Sequence, residues 1–160
     1  MATKQEIIES INAGIGRVEQ TFGSLSDEQL EQKVHDVDGG WTAKQILAHL
    51  AGRQGSYDAI VAMAEGSAPP FTSGVDDWNQ QAVDQRIGMS RDELLNEFRK
   101  VHQGLIERVR GMDDELLSAT IELPRGSAAV SDVLAGSGGR HSITHSAEVE
   151  AALGLSAPGE

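Results

Sequence analysis

Apolar residues recur at spacings of three and four in four separate stretches of this chain, and no stretch alternates with a period of two. A helix returns to one face about every 3.6 residues and a strand every second residue, so the pattern selects helices over sheet. The first stretch starts near Thr3 and carries Ile7, Ile8, Ile11, Ile15, Val18 and Phe22. Gly14 and Gly16 within it each cost about 1 kcal/mol relative to alanine, so neighbouring elements must support this helix. The second stretch continues from Ile46, Leu47 and Leu50 through Tyr57, Ile60 and Val61 to about Ala64. The third holds Leu94, Phe98, Val101, Leu105 and Val109 and stops at Gly111. The fourth opens with Val130, Val133 and Leu134 and resumes through His141, His145, Val149 and Leu153 before Gly154.

Start signals support these boundaries. Thr42 with Gln45 forms a capping box, and Trp41 can fold onto Ile46 as a hydrophobic staple. Ser90 with Glu93, flanked by Met89 and Leu94, repeats the device for the third helix, and Ser26 with Gln29 opens a short helical turn. The stretch Gly66–Gly74, with Pro69-Pro70, cannot be helix or central strand. Asp76 or Asp77 can cap a short helix through Trp78 and Val83 to about Ile87, and Glu122–Gly126 reads as a loop. Gly136-Ser137-Gly138-Gly139 lies inside the fourth helix and costs it on the order of 3 kcal/mol of propensity. The helix either kinks or breaks there, or a neighbouring backbone comes close enough to demand small residues. The expectation is an all-α four-helix bundle with short extra helices in its connections, one domain over 1–155 and a flexible tail at 156–160.

Composition removes several functions. Thirteen Lys and Arg face 25 Asp and Glu, a formal charge of -12, which repels phosphate backbones and anionic lipid. Neither nucleic acid nor a membrane surface is therefore expected as a partner. There is no cysteine, which removes disulfides, thiolate metal sites, iron–sulfur clusters and a cysteine nucleophile. No segment approaches the roughly 18 apolar residues of a membrane span, and the N-terminus has no apolar signal core, so the protein is expected in the cytoplasm. Aromatics are 4%, so the core must rest mainly on Leu, Ile, Val and Ala.

The histidines carry the chemistry. His141 and His145 are four apart on the fourth helix, which brings their Cβ atoms to about 6 Å on one face and suits chelation of one metal. A solvated or helix-capping pair would have the same spacing. His49 lies beside the apolar stripe of the second helix, and inward residues of separate helices converge in a bundle. Three neutral imidazoles without a fourth protein ligand leave a coordination position open, as catalytic sites do. His35 reads as a surface residue, and His102 as packing or exposure at the edge of the third stripe. Ser142 stands where a zincin places its glutamate base, so a water-activating peptidase is disfavoured. Glu148 could accept an imidazole N–H, but on so acidic a chain a solvated carboxylate is the expected reading.

The order of these features resembles the DinB-like superfamily. Gly40-Trp41-Thr42-Ala43-Lys44-Gln45-Ile46-Leu47-Ala48-His49-Leu50 is similar to its helix-two signature, and His141 with His145 is similar to its last-helix ligand pair. Asp77-Trp78-Asn79 and Leu25-Ser26-Asp27-Glu28-Gln29-Leu30 match the family's habit as well. The resemblance implies a four-helix bundle, frequent homodimers, and a divalent metal on His49, His141 and His145. It also implies thiol S-transferase or isomerase chemistry with a low-molecular-weight thiol such as mycothiol or bacillithiol. Three imidazoles suit Zn, Ni or Fe, and Cu or Co as well. Metal coordination lowers a thiol's pKa without a protein base, so the absent base fits thiol chemistry better than hydrolysis. Tyr57, two turns beyond His49, and Arg140, beside His141, are the expected contacts to a small-molecule substrate. The alternatives are a bundle that binds a small molecule without turnover and a homodimeric structural bundle.

Overall fold

In the computed structural model, which describes residues 1–35 and 40–156, the first helix begins where its sequence says it should. The Thr3 hydroxyl accepts from the Glu6 N–H, and the Glu6 carboxylate accepts from the Thr3 N–H. Helix α1 (Lys4–Phe22) then turns Ile7, Ile11, Ile15, Val18 and Phe22 inward. The four bundle segments are α1, the broken pair α3 (Ala43–Ala51) and α4 (Gln54–Ala64), α6 (Arg91–Gly111), and a final composite helix. That composite runs α8 (Val130–Ala135), a π-helical turn (Gly136–Arg140) and α9 (His141–Leu153). The connections hold α2 (Asp27–Leu30), α5 (Val75–Asp84) and α7 (Asp114–Ser118). Leu47, Leu50, Leu94, Phe98, Leu105, Leu134 and Val149 join the α1 stripe in one core. Among the described residues, no helix is long and apolar enough to cross a membrane.

The glycine stretch in the last helix is a close approach, not a break. α1 runs against the π-helical turn so tightly that a Cβ on Gly139 would lie 2.3 Å from the Ser10 carbonyl oxygen. A Cβ on Gly138 would meet Ile11 at 2.9 Å, and one on Gly14 would meet the Gly139 carbonyl oxygen at 3.1 Å. Small residues on both helices therefore face each other, and the extra residue of the π turn is where the backbone adjusts. A little further along, the Arg17 guanidinium grips the buried Glu150 carboxylate with two hydrogen bonds of 2.7 and 2.5 Å, and the Thr21 hydroxyl donates to it at 2.7 Å. The helix ends at Gly154, whose φ of 67° is the left-handed geometry of a glycine stop.

Three expectations fail. The second helix is not continuous to Ala64. Gly52 leaves helical geometry at φ -83° and ψ 33°, with the Arg86 guanidinium packed where a side chain would be. A strand pair does exist: β1 (Thr120–Leu123) and β2 (Gly126–Ala129) form an antiparallel hairpin, turning at Gly126 with φ 120°. Four-residue strands of which one is Gly-Ser-Ala-Ala carry too little periodicity to be read locally. Neither Asp76 nor Asp77 caps α5. Gly74 occupies the cap at φ 98° and both aspartates fall in the first helical turn, where their charge still favours the helix start. The expected tail at 156–160 lies outside the described residues except for Ser156.

Candidate metal centre

His49 stands in the last turn of α3, and its position follows from the capping box that starts this helix. The Thr42 hydroxyl accepts from the Gln45 N–H and the Gln45 side chain returns the bond to the Thr42 N–H. From that start, Ile46, Leu47 and Leu50 lock into the core and His49 is carried toward α9. His141 opens α9 immediately after the π turn, and His145 follows one turn on. The three imidazoles converge so that one ring nitrogen from each lies within 4.8 Å of the others. His49 Nε2 and His141 Nε2 are 2.8 Å apart, a distance that needs a proton or a cation between the two lone pairs. The Trp41 ring covers His49 at 5.0 Å between centroids, its indole N–H held by Gln80 at 2.9 Å.

The electrostatics keep this cluster ready for a cation. Burial, with the Arg53 guanidinium second, pushes His49 down to about 3 and His141 to about 2. Both are neutral at physiological pH, which is the form that ligates metal. His145 Nδ1 donates to the Glu148 carboxylate at 3.0 Å, which leaves its Nε2 lone pair for the cluster. His35 reaches the same carboxylate oxygen at 3.2 Å. Burial would raise Glu148, but the hydrogen bonds from His35 and His145 outweigh it and hold the carboxyl below its ordinary range. The donor set therefore fits a borderline divalent metal: imidazole nitrogens from two helices, with one ring fixed by an outer carboxylate. Glu148 is thus not simply solvated, and His35 is a half-buried partner of the cluster and not a free surface residue.

Behind the cluster sits a polar network that sequence reading did not assemble. His102 is buried on α6, with Nδ1 donating to the Phe98 carbonyl at 2.8 Å. Its Nε2 is consequently an acceptor and takes the Tyr57 hydroxyl proton at 2.8 Å. The same hydroxyl lies 3.1 Å from the Ser137 carbonyl in the π turn, so one proton serves two acceptors. Tyr57 is 1% exposed, so its side chain is buried away from any surface a substrate could reach. Arg140 is exposed, and its guanidinium folds back against Gly136. Arg53 went unremarked in the sequence because it lies in no motif. Its guanidinium hydrogen-bonds Ser137 Oγ and sits 5.5 Å above the Tyr57 ring.

Fold and site together define a helical bundle whose middle holds a three-histidine cluster fed by two of its segments. The sequence profile of the DinB superfamily matches residues 11–148, and the chain belongs to that superfamily. No curated protein shows significant sequence similarity to the chain. Among solved structures, the mycothiol-dependent maleylpyruvate isomerase superposes with a TM-score of 0.74 at 14% identity over 92% of this chain and 61% of its own. The chain thus spans about three fifths of the isomerase's length. YfiT from Bacillus subtilis, a probable metal-dependent hydrolase with an unusual four-helix bundle topology, superposes with a TM-score of 0.69 at 19% identity. That match covers 96% of this chain and 89% of YfiT. At such identities the likeness establishes the bundle fold.

Proposed function

We propose that the protein is a metal-dependent enzyme in which His49, His141 and His145 hold a divalent ion and a low-molecular-weight thiol is the co-substrate. The observation that carries this reading is the convergence of three imidazole nitrogens within 4.8 Å, with Glu148 committed to orienting His145. When bound, a divalent ion there lowers the pKa of a coordinated thiol toward neutrality. The chain's own residues do the rest. Glu148 holds the His145 tautomer, burial and Arg53 keep His49 and His141 unprotonated, and Trp41 shields His49 from water. Glu148 is already hydrogen-bonded to two imidazoles, so it is poorly placed to serve as a hydrolytic base.

The mycothiol dependence of the similar isomerase supports the thiol reading, as S-transfer to an electrophile or as a thiol-dependent isomerisation. In this reading Arg140 contacts the substrate, whereas Tyr57 acts from behind by fixing the π turn. A homodimer in the cytoplasm completes the proposal, and sedimentation velocity tests the assembly. The decisive experiment compares metal content, by inductively coupled plasma mass spectrometry, in the wild type and a His49→Ala/His141→Ala variant. About one equivalent in the wild type, lost in the variant, is expected of a single three-imidazole site. Metal-dependent consumption of a test electrophile by mycothiol or bacillithiol then identifies the thiol. Absence of metal in both proteins after incubation with Zn and Ni would remove the proposal.

A further inference from the structure

A cavity of about 500 Å³ opens between α4, α5, the hairpin and α8, and it reaches toward the histidine cluster only through Arg53 and Ser137, since none of the three histidines lines it. Much of its wall is apolar, with Ile60, Met63, Phe71, Trp78, Leu123 and Val133 in it. Phe71 and Trp78 meet edge to face with centroids 5.3 Å apart, which fixes both rings in the wall. Arg53 also lines this cavity. Among the described residues its guanidinium has no carboxylate within salt-bridge distance, unlike Arg17, Arg86 and Arg99. Its Nε–H is buried and has no acceptor among the described residues, and its Nη2 is held by the Ser137 hydroxyl. A fixed guanidinium without a counter-charge, at the wall of an apolar cavity, is an incomplete ion pair.

Two acidic residues, Asp76 and Asp132, and a second guanidinium, Arg125, also reach this space. Asp132 is engaged by the backbone N–H of Ala2 at 2.7 Å and by the N-terminal amine, while Asp76 lies in the first turn of α5. The two carboxylates offset the two guanidiniums, and on a chain of charge -12 a multiply charged anion is disfavoured. A planar carboxylate on an apolar body is the chemistry that matches the whole surface: the fork of Arg53 for the head and the aromatic wall for the remainder. Arg53 is four residues beyond His49, and Ser137 is four residues before His141. We infer that this cavity binds the apolar, carboxylate-bearing substrate of the reaction, with Arg53 as the carboxylate anchor. The substrate role rests on the metal-enzyme reading, whereas the binding itself does not.

Calorimetric titration of the metal-loaded protein with 3-phenylpropanoate and with the isosteric neutral 3-phenylpropanamide tests this. The carboxylate should bind about tenfold tighter or more, the scale of a charge-assisted hydrogen bond. That preference should vanish in Arg53→Gln, return in part in Arg53→Lys, and persist in His49→Ala/His141→Ala. Metal content of each variant, measured in parallel, separates failure of the metal site from failure of the anchor. Equal binding of the two probes, or no binding of either at millimolar concentration, overturns the inference on the unmutated protein alone. So does a preference that survives Arg53→Gln but is lost in the double histidine variant, because the carboxylate would then be held by the metal.

Discussion

Gly139→Ala is the substitution that tests most directly how this bundle is closed. A single methyl group at 139 would lie 2.1 Å from the Ser10 hydroxyl oxygen, 2.3 Å from its carbonyl oxygen and 2.4 Å from its carbonyl carbon. The hydroxyl can rotate away, but the carbonyl belongs to the backbone of α1 and cannot. Relieving the contact means separating α1 from the last helix by about 1 Å, enough to forfeit a quarter to a half of each dispersion contact along the seam. Overpacking of this kind costs typically 1–3 kcal/mol, and with backbone on both sides we expect about 3 kcal/mol even after the helix-propensity gain of alanine. For a chain of this size that lowers the melting temperature by roughly 6–12 °C. Gly16→Ala is the internal control, because a Cβ there has nothing within 4 Å. It should gain close to 1 kcal/mol, the propensity difference alone. Urea unfolding of both variants, followed by circular dichroism, reads the difference at constant slope. If Gly139→Ala unfolds within about 0.5 kcal/mol of the wild type, the close-approach account of the glycine stretch is wrong.

Three further outcomes follow from the site. Tyr57→Phe deprives His102 Nε2 and the Ser137 carbonyl of the one proton they share, and should destabilise the fold by about 1–3 kcal/mol in thermal unfolding. Glu148→Gln removes the charged acceptor behind His145, so metal affinity measured by competition with a chromophoric chelator should fall about 10–100-fold. A variant with wild-type affinity would show that the carboxylate does not orient the ligand. His102 is lowered by burial from 6.5 to about 4, the Phe98 carbonyl opposing the shift in part. The unfolded chain therefore binds the extra proton first: the stability is complete above pH 6.5 and is lost as pH falls toward 4, amounting to about 3 kcal/mol. The fall in melting temperature over this window should be visibly shallower in His102→Gln, and an equal slope in the two proteins would refute the assignment.

What the sequence reveals and what it conceals divides by the range of the interaction. The boxes at Ser26, Thr42 and Ser90 involve partners three residues away, and all three form as read. The i,i+4 histidines are equally local, and His49 joins them because inward residues of a bundle converge. Glu148 meets its second imidazole across 113 residues, and no spacing announces that. The Tyr57–His102 bond spans 45 residues and the Arg53–Ser137 bond 84, so each had to wait for the packing that creates it. The hairpin is illegible for a related reason: its strands pair through backbone groups, which every residue but proline supplies alike.

The glycine stretch joins these two scales. Its propensity cost was plain in the sequence, but its meaning lay in Ser10, more than a hundred residues earlier, whose backbone it approaches. The π turn that accommodates this contact also sets the phase of α9, because His141 is the first residue after it. One residue more or less in that turn would rotate His141 and His145 by about 100° and aim both away from His49. Tyr57 and Arg53 both hold Ser137 within the same turn, one by its carbonyl and the other by its hydroxyl. Closure of the bundle against α1 and presentation of the two histidines are therefore one structural problem. A substitution that loosens the glycine seam should accordingly weaken metal binding along with stability, although it touches no ligand.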